Sequence, residues 1–383
     1  MRIRFANLAG KFGQLAAVLS LCLLSISSQQ FASASGVARE GSARTVRVGV
    51  LGLFHPRELR ITPIAGQALL LQAGSRLIVL EKSSGVDSAA VQLSPAGIAV
   101  TSHNSTLRAS VIAVGGRNGE PIDFVLAIPG KITRRYHGTL EIKTDSASLI
   151  PIVSMDLETA VASVVAAESA PDTPVEALKA QAIATRSYFV SGRGRHRDFD
   201  FCDTTHCQFL REPSPAGSKV MQAVIETRQM ILAYNSKPFA AMYTRSCAGR
   251  TRTPAQLGLS PVSYPYYSVD CPFCRSHPAR WTTRISLADA AALRSSDESS
   301  RLNLGRLLGW NAVPSNDFVL KLDGNEVILQ GTGNGHGIGL CQSGSKAMAE
   351  AGSNFREILA HYYPNATVII LPSADSAGVY AGF

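Results

Sequence analysis

The stretch that decides the fold, residues 155–190, reads MDLETAVASVVAAESAPDTPVEALKAQAIATRSYFV. Its first part carries apolar residues at Leu157, Val161 and Val164, which is the spacing of a helix with one buried face. The pattern predicts a helix that ends at about Ala167.

A second helix is predicted to begin directly after the Ser-Ala-Pro-Asp loop. Thr173 offers an N-cap hydroxyl, Pro174 suits the first helical position and Glu176 follows three residues after the cap, as in a capping box. Leu178 and Phe189 then share the inner face of this helix. The two helices therefore form a hairpin with a short, proline-bounded connection.

Glu168 lies between the two predicted helices. A glutamate that follows a helix is most often a solvated surface group. This one stands at a helix end beside a loop, where a carboxylate can face a cleft instead of the core.

Three blocks of sequence carry a resemblance to a known family. They are VVAAESAPDTPVEALKAQAIATRSYFV (164–190), KPFAAMYTRSCAGRT (237–251) and GNGHGIGLCQSGSKAMAEAGSNFREILAHYYP (333–364). Their order and content resemble the SpoIID/LytB family, bacterial cell-wall proteins whose sporulation members are lytic transglycosylases of peptidoglycan. The resemblance implies an α+β fold with a mixed catalytic domain over residues 138–370.

The resemblance also implies which residues carry the function. Glu168 would be the single general acid and base, and Tyr243, Ser246, His336 and Gln342 would position the glycan. Ser246 does not lie in a Gly-x-Ser-x-Gly elbow, so we do not expect a serine nucleophile.

Three further side chains near these blocks have other interpretations. Gln181 and Arg186, on the second helix, are expected to support the site from behind. For His336 the alternative to substrate binding is a turn histidine that bonds to its own glycine-rich loop, residues 331–339. That density of glycine predicts unusual backbone conformations and the close approach of another surface.

The segment HRDFDFCDTTHCQ (196–208) offers metal ligands. His196, Cys202, His206 and Cys207 supply the donor set of a closed, structural zinc site. A disulfide between the two cysteines is the competing interpretation in an oxidising compartment. Zinc is favoured because the resemblance includes family members with a Cys/His cluster at this place.

Four more cysteines follow the predicted metal site. Cys247, Cys271, Cys274 and Cys341 can form two disulfides in three ways, among which the sequence does not choose. Cys271-Pro-Phe-Cys274 lacks the βαβ context of a redox motif, so a structural role is expected.

The chain has 383 residues, of which 45% are hydrophobic, so it can bury a sizeable core. Residues 1–34 have the basic start, apolar stretch and small-residue site of an export signal, with an uncleaved membrane anchor as the alternative. Removing them takes away three basic residues and no acidic one, leaving a formal net charge of +6. That charge suits an anionic partner such as the cell wall, and no basic run with interleaved aromatics indicates nucleic acid. We expect an exported protein of the periplasm or cell wall.

The remaining domain predictions follow from the distribution of polar and apolar residues. Residues 35–44 read as a polar linker, 45–137 as a β-rich N-terminal region of short strands, and 371–383 as a flexible tail.

The predicted function is cleavage of the bond between MurNAc and GlcNAc in glycan strands, preferably peptide-stripped, to give 1,6-anhydroMurNAc ends. The rival is a non-catalytic wall-binding protein that enhances a partner amidase, since LytB-type members are associated with that role. A zinc hydrolase is a third interpretation, which fails if four protein ligands saturate the metal.

Overall fold

A computed structural model describes residues 45–372, except residues 104, 146, 261, 292–296 and 310. The predicted signal peptide (1–34), the predicted linker (35–44) and residues 373–383 of the predicted tail lie outside the described residues. Across the described part of the chain, no helix is both long enough and apolar enough to cross a membrane.

The region from Thr45 to Asp156 is built from strands in one large sheet. Its strands alternate buried and accessible side chains, as Phe124, Leu126 and Ile128 show, because successive side chains point to opposite faces. The strands are β1 (Thr45–Gly49), β2 (Glu58–Pro63), β3 (Ala68–Ala73), β4 (Arg76–Glu81), β5 (Ala89–Ser94), β6 (Gly97–Ser102), β7 (Ser105–Ala109), β8 (Ile112–Gly115), β9 (Ile122–Ile128), β10 (Ile132–Thr144) and β11 (Leu149–Asp156).

The long strand β10 joins the two parts of this sheet. Its first half pairs with β9, and its second half pairs with β8 and β11. Gly138 lies between the halves with φ 151°, where a Cβ atom would overlap the Ser154 carbonyl oxygen. The strand thus crosses the domain boundary predicted between residues 137 and 138, which stays a prediction.

The rest of the chain mixes helices with short strands, which confirms the α+β class. The helices are α1 (Leu157–Glu168), α2 (Val175–Ser191), α3 (Lys219–Glu226), α4 (Pro272–Ser276), α5 (Leu287–Ala290), α6 (Glu298–Leu308), α7 (Gln342–Glu350) and α8 (Phe355–Tyr362). The strands are β12 (Phe201–Cys202), β13 (Met230–Tyr234), β14 (Lys237–Pro238), β15 (Tyr243–Thr244), β16 (Arg280–Ser286), β17 (Asp317–Asp323), β18 (Glu326–Thr332), β19 (Leu340–Cys341) and β20 (Thr367–Ile370).

The predicted helical hairpin is present, but the expected capping box of its second helix is wrong. The N-cap is Pro174, which makes no side-chain cap, and its carbonyl oxygen accepts the first helical bond from Leu178 at 3.0 Å. Glu176 instead accepts the backbone N–H of Phe355 at 2.8 Å. This tertiary hydrogen bond takes the place of a cap, and it connects the start of α2 to the start of α8.

A two-residue turn at Asn235 and Ser236, both with positive φ, joins β13 to β14. The strand after the turn is short because the chain leaves the hairpin after Pro238 and pairs again as β15, which runs parallel to β19. This parallel pair brings Tyr243 beside Leu340, next to α7.

Candidate active site

A cleft open to solvent lies where the end of α1 and the start of α2 face the start of α7. One side, which we call the helical wall, is formed by residues 157–191 of α1, α2 and their connection. The other, which we call the loop wall, is formed by residues 243–252 and 331–346. The cleft is lined by Glu168, Ser169, Ala170, Thr173, Ala177, Gln181, Arg245, Leu340, Gln342, Ser343, Ser345 and Lys346.

Glu168 is the last residue of α1, as the sequence predicted, and its side chain lines the cleft half-buried. Burial raises the pKa of this carboxyl group, while interaction with Gln342 and the positive charges of Arg245 and Arg211 oppose the rise. Among the described residues lining the cleft, it is the only carboxylate. The arrangement suits a group that can hold a proton and then release it.

Gln342 faces Glu168 from the loop wall as the first residue of α7. The interaction of its amide with the carboxyl group opposes the rise in the pKa of Glu168 that burial causes. Its amide nitrogen is nevertheless buried and has no hydrogen-bond partner among the described residues. The Gln181 carbonyl oxygen, on the helical wall, is unpaired in the same way. A buried polar atom without a partner is costly, so both atoms are suited to bonding a substrate.

Two basic residues at the cleft were not predicted from the sequence. Arg245 and Lys346 line it, and Lys346 forms an ion pair with Asp172. Arg245 lies inside the block KPFAAMYTRSCAGRT, so its place in that block was the available signal. With Arg211 they give the cleft a positive field that favours an anionic ligand.

Tyr243 packs beside the carboxylate. Its hydroxyl donates a hydrogen bond to the Gln208 amide oxygen. Burial raises the pKa of Tyr243, and the nearby negative charge of Glu168 raises it further. The tyrosine therefore stays protonated and links the segment that carries Gln208 to the cleft.

Ser246 is a buried residue of the loop wall and is not one of the cleft-lining residues. Its backbone pairs with Asn334 through two hydrogen bonds of 2.9 Å. Its hydroxyl oxygen lies 3.5 Å from the Cys274 sulfur. These contacts are those of a residue that shapes the wall, and its contact with glycan stays a prediction.

His336 is half-buried outside the cleft lining. Its Nδ1 accepts the backbone N–H of Ile338 at 3.0 Å, within its own loop. Burial lowers the pKa of His336 to about 4, and the charges that act on it belong to Glu298 and Arg301. These are the surroundings expected for a turn histidine, and substrate binding by His336 stays a prediction.

The glycine-rich loop has the unusual backbone that its composition predicted. Gly333, Gly335, Gly337 and Gly339 all have positive φ, between 71° and 96°. The surface that approaches closely is the chain's own strand β15: a Cβ atom on Gly335 would overlap the Thr244 hydroxyl. Thr244 uses that hydroxyl to accept the Gly337 N–H at 3.0 Å.

Arg186 is fully buried behind the helical wall. Its guanidinium forms an ion pair with Glu158 at 2.6 Å and donates to the carbonyl oxygens of Met230 and Val224. It therefore connects α1, α2, α3 and β13 without reaching the cleft.

The Cys/His segment folds into a compact cluster beside Tyr243's partner, Gln208. The ligand atoms of His196, Cys202, His206 and Cys207 all lie within 4.8 Å of one another. The nitrogen–sulfur separations are 3.2 Å from His196 to Cys207, 3.5 Å from His206 to Cys207 and 3.7 Å from His206 to Cys202. In a tetrahedral zinc site these edges are about 3.5 Å. The four residues fit a zinc ion without rearrangement.

Comparison with known proteins finds several similar sequences. Residues 145–234 match the family model described as SpoIID, stage II sporulation protein. A stage II sporulation protein D from Bacillus amyloliquefaciens is 27% identical over 59% of this chain and 76% of its own length. The matched segment and these relatives support a relationship to the SpoIID/LytB family.

Two further relatives extend the comparison. An uncharacterized protein from Brachyspira hyodysenteriae is 29% identical over 61% of this chain and 72% of its own. An amidase enhancer from Bacillus subtilis is 24% identical, over 51% of this chain and 38% of its own length.

The matched segment has a clear place in the structure. Residues 145–234 include the helical wall and the Cys/His cluster, and they end at β13. The loop wall lies beyond this segment. The side of the cleft that carries Arg245 and Gln342 is therefore described by the structure and not by the family match.

Proposed function

We propose that this protein is a lytic transglycosylase that cleaves peptidoglycan glycan strands, with Glu168 as general acid and base. The observation that carries the proposal is a single cleft carboxylate whose pKa is raised by burial. Glycoside hydrolases normally use two carboxylates. A transglycosylase needs one, because the attacking hydroxyl belongs to the substrate.

The proposed reaction has two proton transfers. Protonated Glu168 gives its proton to the glycosidic oxygen as the bond to the muramoyl anomeric carbon breaks. The C6 hydroxyl of the same muramic acid then bonds to that carbon and returns a proton to Glu168. The reaction yields a 1,6-anhydromuramoyl end and a new sugar hydroxyl, and the enzyme regains its starting state. The hydroxyl is already tethered to the reacting sugar, which gives it a high effective concentration.

The charges in the cleft support a peptide-stripped substrate. Removing the peptide exposes a lactyl carboxylate on each muramic acid. Arg245 and Lys346 line the cleft beside Glu168 and provide cations for such a group. Gln342 and Gln181 offer an unpaired donor and an unpaired acceptor for sugar hydroxyls.

The test is mass spectrometry of peptide-free glycan strands after incubation with the wild type, with Glu168→Gln and with a control, Glu326→Gln. Glu326 is an exposed carboxylate at a hairpin turn, paired with Arg284. We expect 1,6-anhydromuramoyl ends from the wild type and the control, and a rate about 10²–10⁴-fold lower from Glu168→Gln. Reducing ends would instead identify a hydrolase with a second carboxylate.

A second function is favoured by the similarity to an amidase enhancer. In that case the protein binds glycan without cleaving it and raises the activity of a partner amidase. Stimulation of an amidase that survives Glu168→Gln, with no anhydro product from the wild type, would establish this function in place of the first.

We also propose that His196, Cys202, His206 and Cys207 hold a structural zinc ion. Four protein ligands leave no position for a reactive water, so the metal would fasten the segment that carries Gln208 and Arg211 beside the cleft. Intact-mass analysis separates this from the Cys202–Cys207 disulfide, which removes two hydrogens and needs no metal. The substrate class and the export-type N-terminal pattern support action outside the cytoplasm.

A further inference from the structure

The four cysteines outside the Cys/His cluster converge on one point in the core. The sulfur atoms of Cys247, Cys271, Cys274 and Cys341 all lie within 4.8 Å of one another. The side chains are at most 3% exposed. They come from three separate parts of the chain: the loop after β15, helix α4, and the junction of β19 with α7. A buried thiol usually packs alone as a small apolar group, so four in contact call for an explanation.

We propose that these four cysteines form a second metal centre, a closed tetrahedral zinc site with four thiolate ligands. This centre is independent of the proposed glycan cleavage and of the Cys/His site.

The distances favour a metal over disulfides. Zinc–sulfur bonds of about 2.3 Å place the sulfurs of a tetrahedron about 3.8 Å apart. Cys274 and Cys341 are separated by 3.5 Å, and the whole set lies within 4.8 Å. Two disulfides would require sulfur pairs at about 2.05 Å. Four unbridged sulfurs that all lie within 4.8 Å of one another have the arrangement expected around a shared metal ion.

The local structure around Cys271 and Cys274 is typical of a zinc ligand pair. Cys271 is the N-cap of α4 and Cys274 lies on its first turn, so both side chains face the same side. Their C-x2-C spacing is common among structural zinc sites. The Cys271 N–H donates to the Gly249 carbonyl oxygen at 2.9 Å, which fixes α4 against the loop of Cys247.

Hydrogen-bond donors surround the sulfurs, as expected for buried thiolates on a metal. The Gly344 N–H donates to the Cys341 sulfur at 3.4 Å. The Tyr362 hydroxyl lies 3.4 Å from the Cys271 sulfur, and the Ser246 hydroxyl lies 3.5 Å from the Cys274 sulfur. Contacts of this kind stabilise negative charge on a thiolate sulfur.

Gly344 shows how tightly this centre is enclosed. A Cβ atom at Gly344 would overlap both the Tyr362 hydroxyl and the Cys271 sulfur. The residue therefore has to be glycine for α7 to lie against the cluster. The site is closed to substrate, which makes a structural role the expected one.

The centre would hold the loop wall of the cleft. Cys341 directly precedes Gln342, and Cys247 follows two residues after Arg245. A metal that joins these cysteines to α4 fixes both cleft residues relative to each other. In the helical wall, packing between helices has the corresponding role.

The test is zinc stoichiometry by native mass spectrometry of the full chain, purified without chelator. The variants are Cys271→Ser with Cys274→Ser and, as the matched pair in the other cluster, Cys202→Ser with Cys207→Ser. We expect two zinc ions in the wild type and one in each double variant. A wild type with one zinc or none, or a protein lighter by the four hydrogens of Cys247, Cys271, Cys274 and Cys341, would overturn the proposal.

Zinc-edge X-ray absorption decides the question even if the Cys271/Cys274 variant does not fold. In the wild type, two occupied centres give an average of about three sulfur and one nitrogen ligands per zinc, whereas the Cys/His site alone gives two of each. In the Cys202/Cys207 variant we expect four sulfur ligands and no nitrogen. Nitrogen ligands in that variant would refute a four-thiolate centre. Neither readout depends on glycan cleavage, so failure of the proposed function leaves it unaffected.

Discussion

The two walls of the cleft are stabilised by different kinds of interaction. The helical wall is continuous in sequence, buries an apolar face of α1 and α2, and is fixed from behind by the Arg186–Glu158 ion pair. The loop wall is assembled from distant segments that meet through positive-φ glycines, the short parallel pair β15–β19 and a cluster of thiols.

The two walls are therefore sensitive to different kinds of substitution. The helical wall depends on burial and on one satisfied buried charge, so it is lost when that charge loses its partner. The loop wall depends on close backbone approach, so it is disturbed by single added atoms. The catalytic carboxylate proposed here stands on the first wall, and its partner Gln342 on the second.

The largest effect is expected from Arg186→Met on the helical wall. The change leaves Glu158 without its guanidinium and removes donors from the carbonyl oxygens of Met230 and Val224. We expect the free energy of unfolding to fall by about 3–5 kcal/mol, measured by urea denaturation. Arg284→Met, which breaks only exposed ion pairs, should cost at most about 1 kcal/mol. Equal effects of the two changes would mean that the buried pair does not hold this wall.

The next effect is expected from Gly339→Ala on the loop wall. Gly339 has φ 71°, and a Cβ atom there would overlap the Met242 carbonyl oxygen. We expect a loss of about 2–4 kcal/mol from strain and overlap together.

Gly324→Ala is the matched control for this change. Gly324 has φ 60° with open space around it, so alanine there introduces the strain without the overlap, at a cost of about 1–2 kcal/mol. If the two midpoints of denaturation coincide, close approach does not organise the loop wall.

A smaller effect is expected on the pKa of Glu168, which depends on residues of both walls. The positive charge of Arg245 lowers the pKa of Glu168, so Arg245→Gln should raise it further. The pH at which the general acid loses its proton, and activity declines, should move upward. Titration of a ¹³C-labelled Glu168 carboxyl by NMR measures this directly. Arg250→Gln, which breaks an exposed pair with Asp270, should leave the titration unchanged.

The smallest effect is expected on stability from Glu168→Gln. Burial raises the folded-state pKa of Glu168 above the ordinary value of 4.5, so its stabilising contribution is present below that value and is lost as pH rises through the folded pKa. Glutamine carries no charge at any pH. The variant should therefore be more stable than the wild type at neutral pH, and the two should converge in acid. Thermal unfolding at both pH values tests this, and a variant that is less stable at neutral pH would contradict it.

Local patterns were sufficient to predict much of the helical wall. The periodicity of Leu157, Val161 and Val164 predicted α1, and the loop after it put Glu168 at the helix end, where the structure has it. The capping box at Thr173 was wrong because Glu176 bonds to the backbone of Phe355, which is distant in sequence. The Cys/His segment was recognisable because its four candidate ligands lie within a dozen consecutive residues.

The loop wall could be read from the sequence only in part. Four positive-φ glycines were expected from composition, but the surface that they approach was not. The burial of Ser246 depends on neighbours that no local spacing reveals, whereas the bond of His336 within its own loop was one of its two interpretations.

The sequence alone was sufficient for the two helices of the helical wall, the family blocks and the short Cys/His segment, because hydrophobic periodicity and nearby ligands act over a few turns of chain. Only the tertiary structure decided that Arg245, Lys346 and Gln342 face Glu168, and that four distant cysteines meet at one point. Those contacts join segments up to about a hundred and eighty residues apart, and they exist only after the core has closed around them.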